Sequence, residues 1–363
     1  MAEGLVVGVV STRSGDHAGI GAYCEAGAIL ACEHINARGG VRSPGGGPPH
    51  PVALVHADDG GTPQGAEQAI ASLLAGHHPF AVLGPDLSAL AFSSVHLTGE
   101  AQVLQFTSAL SSRLTRTGNP WLFRIRPHNG YRAAAAARYI VERGFQRLAL
   151  IYLDNELGQD GRSHAERALA GTGPAPLCVL PVRGPADDHR ALIAETLRTR
   201  PDAVLYWGTQ PAGAAVLWAL RAAGWAGTFL SNTMDDIFLD LSGDAAEGSL
   251  GFDCFTYADP DPRIQEFRRQ FQARWRKEPD AHAAANYDTL MLLADAAARV
   301  GPDRRAVRHR LHGGAAFTGI AHAYRFDPQG DLCGWATVYE IRNGKAIFLA
   351  RIEDIIPDRS GRP

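Results

Sequence analysis

The chain has few cysteines and no long apolar run. Five cysteines in 363 residues are too few and too scattered for a disulfide framework. Cys24 and Cys32 lie on one predicted helix, about 12 Å apart at 1.5 Å per residue, which is beyond the reach of a disulfide. We therefore expect buried thiols. Because no run of 18 apolar residues occurs, the sequence predicts no membrane-spanning helix.

Neither sign of charge dominates. Lys and Arg number 35 against 38 Asp and Glu, so the formal net charge is -3 and no overall basic field can attract a nucleic-acid backbone. Hydrophobic residues make up 45% of the chain and charged residues 20%, which is typical of a folded globular protein and not of a disordered one. The length of 363 residues fits two domains or one large domain.

The usual sequence signatures of catalysis are missing as well. We find no phosphate-binding loop, no His-Glu-x-x-His, no Gly-x-Ser-x-Gly elbow and no Cys-x-x-Cys. Gly19-Ile20-Gly21 begins like a dinucleotide fingerprint, but Cys24 occupies the third glycine position. Adjacent carboxylates such as Asp58 and Asp59 point apart, and the histidines lack ligand spacing. We therefore predict that the protein is not an enzyme and has no cofactor and no metal site.

Apolar runs of the β type alternate with helical segments along the chain. The first strands are predicted at 5–10, 52–56, 80–84, 103–106 and 122–125, with helices at 21–38, 63–75 and 88–100. The alternation restarts with strands at 148–152, 177–182, 203–206, 228–230 and 250–255, and with helices at 161–170, 187–198 and 212–223. Helices at 262–277, 281–300 and 304–312 and strands at 323–326 and 335–341 follow. The pattern predicts an α/β protein with two mostly parallel sheets flanked by helices.

A series of short motifs runs in order from residue 5 to about residue 345. They are Ser14-Gly15, Asn36–Val41, Asp58-Asp59 with Pro63, Val82–Pro85 with Ser88-Ala89, Asn119–Arg124, Gly243–Gly248, Asn286–Asp288 and Phe326–Asp331. In order and spacing they resemble the type I periplasmic binding proteins of the branched-chain amino acid (Leu/Ile/Val) ABC transporter class. Each motif is weak alone, and their order is specific.

The resemblance implies a two-lobed Venus-flytrap fold with three hinge crossovers. The expected lobe 1 is 1–126 plus 256–327, and the expected lobe 2 is 127–255 plus 328–363. The crossovers would then lie near Arg126, Phe255 and Pro328. Hinge closure on a small ligand in the inter-lobe cleft, and not chemistry, would be the working step.

Ser88 is the first candidate ligand-binding residue. Ligands of open parallel sheets bind beyond the carboxyl ends of the strands, and Ser88 follows the Gly84-Pro85 turn at the predicted start of a helix. Its hydroxyl and the free N–H of Ala89 could hold a carboxylate, or Ser88 could be a simple helix N-cap.

The resemblance adds further residues from the first lobe. It implies that the segment Ser108, Ala109, Leu110 and Ser111 contributes a carbonyl and a hydroxyl to the ligand. Leu110 falls where the family usually has Thr, so Ser108 or Ser111 would supply the hydroxyl, unless Ser111 only starts a short helix. Ile20 occupies a position that is often Tyr.

The resemblance also implies a second set of candidates from the second lobe. Leu157 takes the place of an aromatic residue, which makes the site wall more aliphatic. Thr209 and Gln210 lie on a strand-end loop that would recognise the far end of the ligand. Thr233 aligns with a carboxylate that binds the ligand ammonium in many members, and Asp235 follows it, as an ammonium partner or as a helix cap. Tyr287 either lines the cleft or braces the hinge.

The expected function is that of an extracytoplasmic solute-binding receptor, periplasmic or extracellular, which captures an amino acid or small carboxylate for an ABC transporter permease. The start Met1–Gly4 shows no signal peptide. If the protein is exported, we expect that its signal peptide has been removed. The alternative is a cytoplasmic ligand-sensing regulator similar to the amidase regulators of the same fold. No nucleic-acid partner and no direct membrane span are expected. The ligand and the oligomeric state are not predicted.

Overall fold

The computed structural model describes residues 4–232, 234–320 and 322–353. The strands are β1 (Leu5–Ser11), β2 (Val52–Asp58), β3 (Ala81–Leu83), β4 (Leu104–Thr107), β5 (Leu122–Arg124), β6 (Leu148–Leu153), β7 (Cys178–Val182), β8 (Ala203–Trp207), β9 (Thr228–Ser231), β10 (Leu250–Asp253), β11 (Phe317–Thr318), β12 (Ala323–Tyr324), β13 (Ala336–Arg342) and β14 (Lys345–Ile352). The helices are α1 (Ala18–Ala37), α2 (Pro63–His77), α3 (Ser88–Glu100), α4 (Asn129–Glu142), α5 (Glu156–Leu169), α6 (Arg190–Arg198), α7 (Gln210–Ala222), α8 (Asp236–Ser242), α9 (Pro262–Trp275), α10 (Ala281–Val300) and α11 (Arg304–His312).

Contacts between residues divide the chain into two compact units. Unit 1 is Met1–His128 with Glu266–Cys333, and unit 2 is Asn129–Gln265 with Gly334–Pro363. The second boundary falls inside α9. The lobe limits that the sequence analysis set at 126, 255 and 327 stay predictions.

Unit 1 contains a five-stranded sheet in the order β2-β1-β3-β4-β5. Every neighbouring pair is parallel, so the carboxyl ends of the strands lie on one edge of the sheet. The inner strands β3 and β4 and the strand β5 are fully buried, whereas β2 at the other side of the sheet is mostly half-buried.

The apolar stripe of α9 belongs to the core. Phe267 and Phe271 are buried, and their rings pack against those of Tyr287 and Tyr23, with centroids 5.0 Å and 6.1 Å apart. An amphipathic helix with a solvent-facing polar side and this buried stripe needs no second molecule to cover it.

Unit 2 contains a seven-stranded sheet in the order β14-β13-β10-β9-β8-β6-β7. The five strands from β10 to β7 are parallel, and β13 and β14 run antiparallel at one side. The predicted class, α/β with two mostly parallel sheets flanked by helices, is confirmed.

Three elements of unit 2, α4, α8 and β14, are absent from the sequence prediction. Helix α4 carries the alanines 133–137, a continuous run of small apolar residues in which the spacing of three or four residues that marks a helix is not visible. Strand β14 carries the apolar run 346–350 directly after the turn Asn343-Gly344, so the local signal for this strand was present and was overlooked.

The expectation of buried cysteines holds for Cys24 and Cys254 only. All five cysteines are thiols, but Cys32 and Cys178 are partly exposed and Cys333 is exposed. For Cys333 the prediction is wrong, because this residue lies on a loop at the surface of unit 1 and not on a packed element.

Candidate functional site

Ser88 lies where α3 begins, on the loop that follows β3. Gly84 in this loop has a φ of +93°, and a Cβ atom there would lie 2.0 Å from the carbonyl oxygen of Val10. Only glycine allows this close approach, which brings the loop against the end of β1. The N-cap position belongs to Leu87, so Ser88 is the first helical residue and not the cap.

The hydroxyl of Ser88 joins α3 to the loop after β4. The N–H of Ser111 donates a hydrogen bond to Oγ of Ser88, with 3.2 Å between the two atoms. Both residues are buried, whereas the side chain of Ala89 is exposed. Two predicted site residues from different loops are thus brought together at the carboxyl edge of the unit 1 sheet.

The loop after β4 is buried throughout Ser108–Ser111. The N–H of Ser108 donates to Oδ1 of Asp86 over 3.0 Å, and the carbonyl oxygen of Ala109 accepts a hydrogen bond from Nη1 of Arg124. Oγ of Ser108 has no hydrogen-bond partner within the described ranges, although the residue is 0% exposed. A buried hydroxyl without a partner is costly, which marks Ser108 as a place where a ligand atom would be favourable.

Arg124, which donates to the loop after β4, also forms an ion pair with Asp331. Nε of Arg124 lies 2.7 Å from Oδ1 of Asp331, and Thr115 donates to the second carboxylate oxygen over 2.9 Å. Burial would raise the pKa of Asp331, but Arg124, His128 and Thr115 outweigh it and lower this pKa below the usual range of an aspartate. The ion pair therefore anchors the loop that carries Ala109.

Asp58 and Asp59 at the end of β2 do point apart. Asp58 accepts hydrogen bonds from the N–H groups of Arg13 and Gly60, which lower the pKa of its carboxyl. Asp59 accepts from Oγ1 of Thr12 over 2.7 Å, while its Oδ2 is buried and without a partner in the described chain. Burial raises the pKa of Asp59 in spite of the hydrogen bond from Thr12.

Cys24 is part of the same edge. Burial, and after it the charge and hydrogen bond of Asp86, raise the pKa of the Cys24 thiol well above its ordinary value. Such a thiol is protonated and unreactive, so it acts as a packed hydrogen-bond donor.

Ile20 and Tyr287 lie far apart within unit 1. Ile20 is buried in the first turn of α1, beside the carboxyl edge. The hydroxyl of Tyr287 lies 2.9 Å from Nδ1 of His34, fourteen residues further along α1, or about 21 Å at 1.5 Å per residue. The structure therefore does not bring Tyr287 together with Ser88 and the loop after β4.

Thr209, Gln210 and Asp235 lie together at the carboxyl edge of the unit 2 sheet. Thr209 takes the N-cap position of α7 without a capping bond from its side chain, and Gln210 is the first helical residue. Nε2 of Gln210 donates to Oδ2 of Asp235 over 2.6 Å, and Oδ1 of Asp235 accepts from the N–H of Phe238 at the start of α8. Asp235 is thus the N-cap of α8.

Asn232 follows β9 at the same edge and was missed by the sequence analysis. Its Oδ1 accepts from the N–H of Gly208 and its carbonyl oxygen accepts from Nη1 of Arg132, both over 2.9 Å. Its Nδ2 is buried and has no hydrogen-bond partner among the residues described. The one available signal was its position, as the first polar residue after a buried strand.

Leu157 lies in the first turn of α5 and is partly exposed. Nδ2 of Asn129 donates to its carbonyl oxygen over 3.2 Å, and Oδ1 of Asn129 accepts from the indole of Trp207. Leu157 is therefore near the same edge as Thr209. Thr233 lies outside the described residues.

The two edges carry polar groups suited to holding a small molecule by hydrogen bonds. The unit 1 edge offers the hydroxyls of Ser88 and Ser108, and the unit 2 edge offers Thr209, Gln210 and Asn232. In the part of the chain that the structure covers, no helix is both long and apolar enough to cross a membrane.

Known proteins resemble this chain along nearly its full length. A family model described as periplasmic binding protein matches residues 4–345. The Leu/Ile/Val-binding protein BraC3 of Rhizobium johnstonii is 25% identical over 355 residues, which cover 94% of this chain and 93% of the relative.

Solved structures show the same fold. A leucine-binding protein of Thermotoga maritima has a TM-score of 0.87 at 21% identity, covering 96% of this chain and 99% of its own. A solute-binding protein of an ABC transporter from R. palustris, solved with benzoate, has a TM-score of 0.86 at 18% identity and covers 98% of both chains. The resemblance to type I periplasmic binding proteins of the branched-chain amino acid class is confirmed, and the chain belongs to the periplasmic binding protein family.

Proposed function

We propose that the protein is an extracytoplasmic receptor of an ABC transporter, which binds an amino acid or another small carboxylate and presents it to a membrane permease. Closure of the two units on the ligand is the proposed working step, with no chemical conversion. The observation that carries the proposal is the junction of Ser88 with the loop after β4, where a buried hydroxyl, Oγ of Ser108, has no partner in the described structure.

The proposed ligand contacts follow from this junction. A carboxylate would accept hydrogen bonds from Ser88 and Ser108 and from N–H groups in the first turn of α3, where the helix dipole favours an anion. Aliphatic Ile20 and Leu157 are the proposed wall residues, and Thr209 and Gln210 the proposed partners of the far end of the ligand. The names of the relatives, which include leucine and benzoate binders, support this range of ligands.

The test is a thermal-shift screen of protein that has been denatured and refolded to remove any carried ligand. The panel contains amino acids, aliphatic carboxylates and aromatic carboxylates. A ligand at 100 times its Kd adds about 2.7 kcal/mol of apparent stability, which is a measurable shift. We expect at least one hit that is lost in Ser88→Ala and retained in the control Ser94→Ala, a buried serine of the same helix whose hydroxyl donates to the carbonyl oxygen of Leu90. No hit from refolded protein, or equal loss in both variants, would contradict the proposal.

A cytoplasmic ligand sensor is the second candidate. It is favoured by one observation, the five thiols with Cys333 exposed, since an exposed thiol is typical of a reducing compartment. Fractionation of the source cells decides between the two, because a transport receptor is recovered outside the cytoplasmic membrane and a sensor inside it.

A further inference from the structure

The oxygen of the Asn232 side-chain amide accepts a hydrogen bond, whereas the nitrogen has no partner in the described structure. We propose that Nδ2 of Asn232 donates a hydrogen bond to an oxygen atom on the second carbon of the ligand, so that the site prefers a 2-oxo or 2-hydroxy carboxylate to the amino acid of the same carbon skeleton. This inference rests on the proposed function, since it assigns the substrate class of that site.

The orientation of the amide follows from its neighbours. The N–H of Gly208 is a donor, so the atom of Asn232 that faces it over 2.9 Å must be the oxygen, and the NH2 group must face away. The backbone of Asn232 is held as well, because Nη1 of Arg132 donates to its carbonyl oxygen. The donor therefore points in a fixed direction from the carboxyl edge of the unit 2 sheet.

The NH2 group is a buried donor without an acceptor. Asn232 is 1% exposed, and Nδ2 has no hydrogen-bond partner in the described ranges. A buried donor left unbonded is costly, and an oxygen of a ligand would remove that cost. An ammonium group, which only donates, would meet a second donor there.

The neighbouring carboxylates are already engaged within unit 2. Oδ2 of Asp235 accepts from Gln210 and Oδ1 accepts from the N–H of Phe238, so each oxygen of the expected ammonium partner already has one donor. Asp253 is buried in an ion pair with Arg132. An α-ammonium would therefore share Asp235 with Gln210 and the first turn of α8, and Asp253 with Arg132, whereas Nδ2 of Asn232 has no partner in the described ranges.

The experiment compares matched ligands on the wild-type protein by isothermal titration. The first series is L-leucine, 4-methyl-2-oxopentanoate and 4-methylpentanoate, and the second is L-phenylalanine, phenylpyruvate and 3-phenylpropanoate. We expect the oxo acid to bind about tenfold or more tightly than both the amino acid and the unsubstituted acid of its series.

Asn232→Asp is the variant test. Aspartate keeps an oxygen for the N–H of Gly208 but replaces the NH2 group by a second acceptor, so oxo-acid binding should fall about tenfold and amino-acid binding should improve. Asn343→Asp, in the exposed β13–β14 turn of the same unit, controls for the added charge and should change neither affinity.

Each outcome bears on a different proposal. Tighter binding of the amino acid by the wild-type protein would overturn the assignment of Asn232 and leave the receptor function intact. Unchanged ligand preference in folded Asn232→Asp would overturn it too. If no member of either series binds and the screen of the larger panel is also negative, the receptor function fails, and this inference fails with it.

Discussion

Nε of Arg124 donates a hydrogen bond to Oδ1 of Asp331 over 2.7 Å, although 207 residues of chain separate them. Both residues belong to motifs by which the sequence resembles the family, Asn119–Arg124 and Phe326–Asp331. The guanidinium also donates to the carbonyl oxygen of Ala109. One buried cation thus joins β5, the loop after β4 and a turn near the end of unit 1.

Removing Arg124 should destabilise the protein strongly. Arg124→Met leaves the buried carboxylate of Asp331 with Thr115 but without its charged partner, and breaking a buried pair from one side costs about 3–5 kcal/mol. Urea denaturation measures the free energy of unfolding. The double variant Arg124→Met with Asp331→Leu should lose less than the sum of the single losses, and additive losses would contradict a coupled pair.

The same pair should make stability depend on pH at the acid end. Because Arg124 and its neighbours lower the folded pKa of Asp331 below the unfolded value of about 3.9, the charged form stabilises the fold above that value. This contribution is lost as the pH falls through the lower folded pKa. The difference in unfolding free energy between wild type and Asp331→Asn should be constant from about pH 7 to pH 5 and shrink toward about pH 2. A difference that grows on acidification would contradict the assigned shift.

The contribution of Asp59 to stability should change with pH in the direction opposite to that of Asp331. Burial raises its folded pKa, so its contribution to stability is most favourable when it is protonated and is lost as the pH rises through that pKa. Asp59→Asn keeps an oxygen for Thr12 and removes the charge, so it should stabilise the protein at pH 7 by up to about 1 kcal/mol and have less effect near pH 3. A lower melting temperature of the variant at pH 7 would contradict this.

A comparison of Gly84 with Gly118 separates the cost of a left-handed backbone from the cost of a steric clash. Both have positive φ, 93° and 84°, but a Cβ at Gly84 would meet the carbonyl of Val10 whereas nothing lies within 4 Å of one at Gly118. Gly118→Ala should cost about 1–2 kcal/mol for the left-handed conformation alone, and Gly84→Ala should cost at least about 2 kcal/mol more. Equal losses of unfolding free energy would show that the loop after β3 moves freely away from β1.

Local pattern was sufficient for most elements. Helices α3, α10 and α11 begin and end where the sequence places them, because caps, prolines and apolar periodicity agree there. Helix α4 was not recognised because its alanines carry little periodic signal.

Some site residues were likewise recognised from the sequence, and others needed the structure. Ser88 was found because its position after a strand and a Gly-Pro turn has a physical meaning by itself. Its contact with Ser111 and the N-cap role of Asp235 needed the structure to distinguish them from the alternatives. Asn232 resembles any polar residue after a strand until its neighbours are known.

The sequence by itself determined the α/β class and the order of the elements, because these follow from apolar periodicity and chain breakers within a few residues. Only the tertiary structure decided which polar atoms have partners. Arg124 and Asp331 come from distant parts of the chain, and Gly208 and Asn232 meet because β8 and β9 are neighbours in the sheet. Whether an atom such as Nδ2 of Asn232 remains available to a ligand depends on what surrounds it in the folded protein.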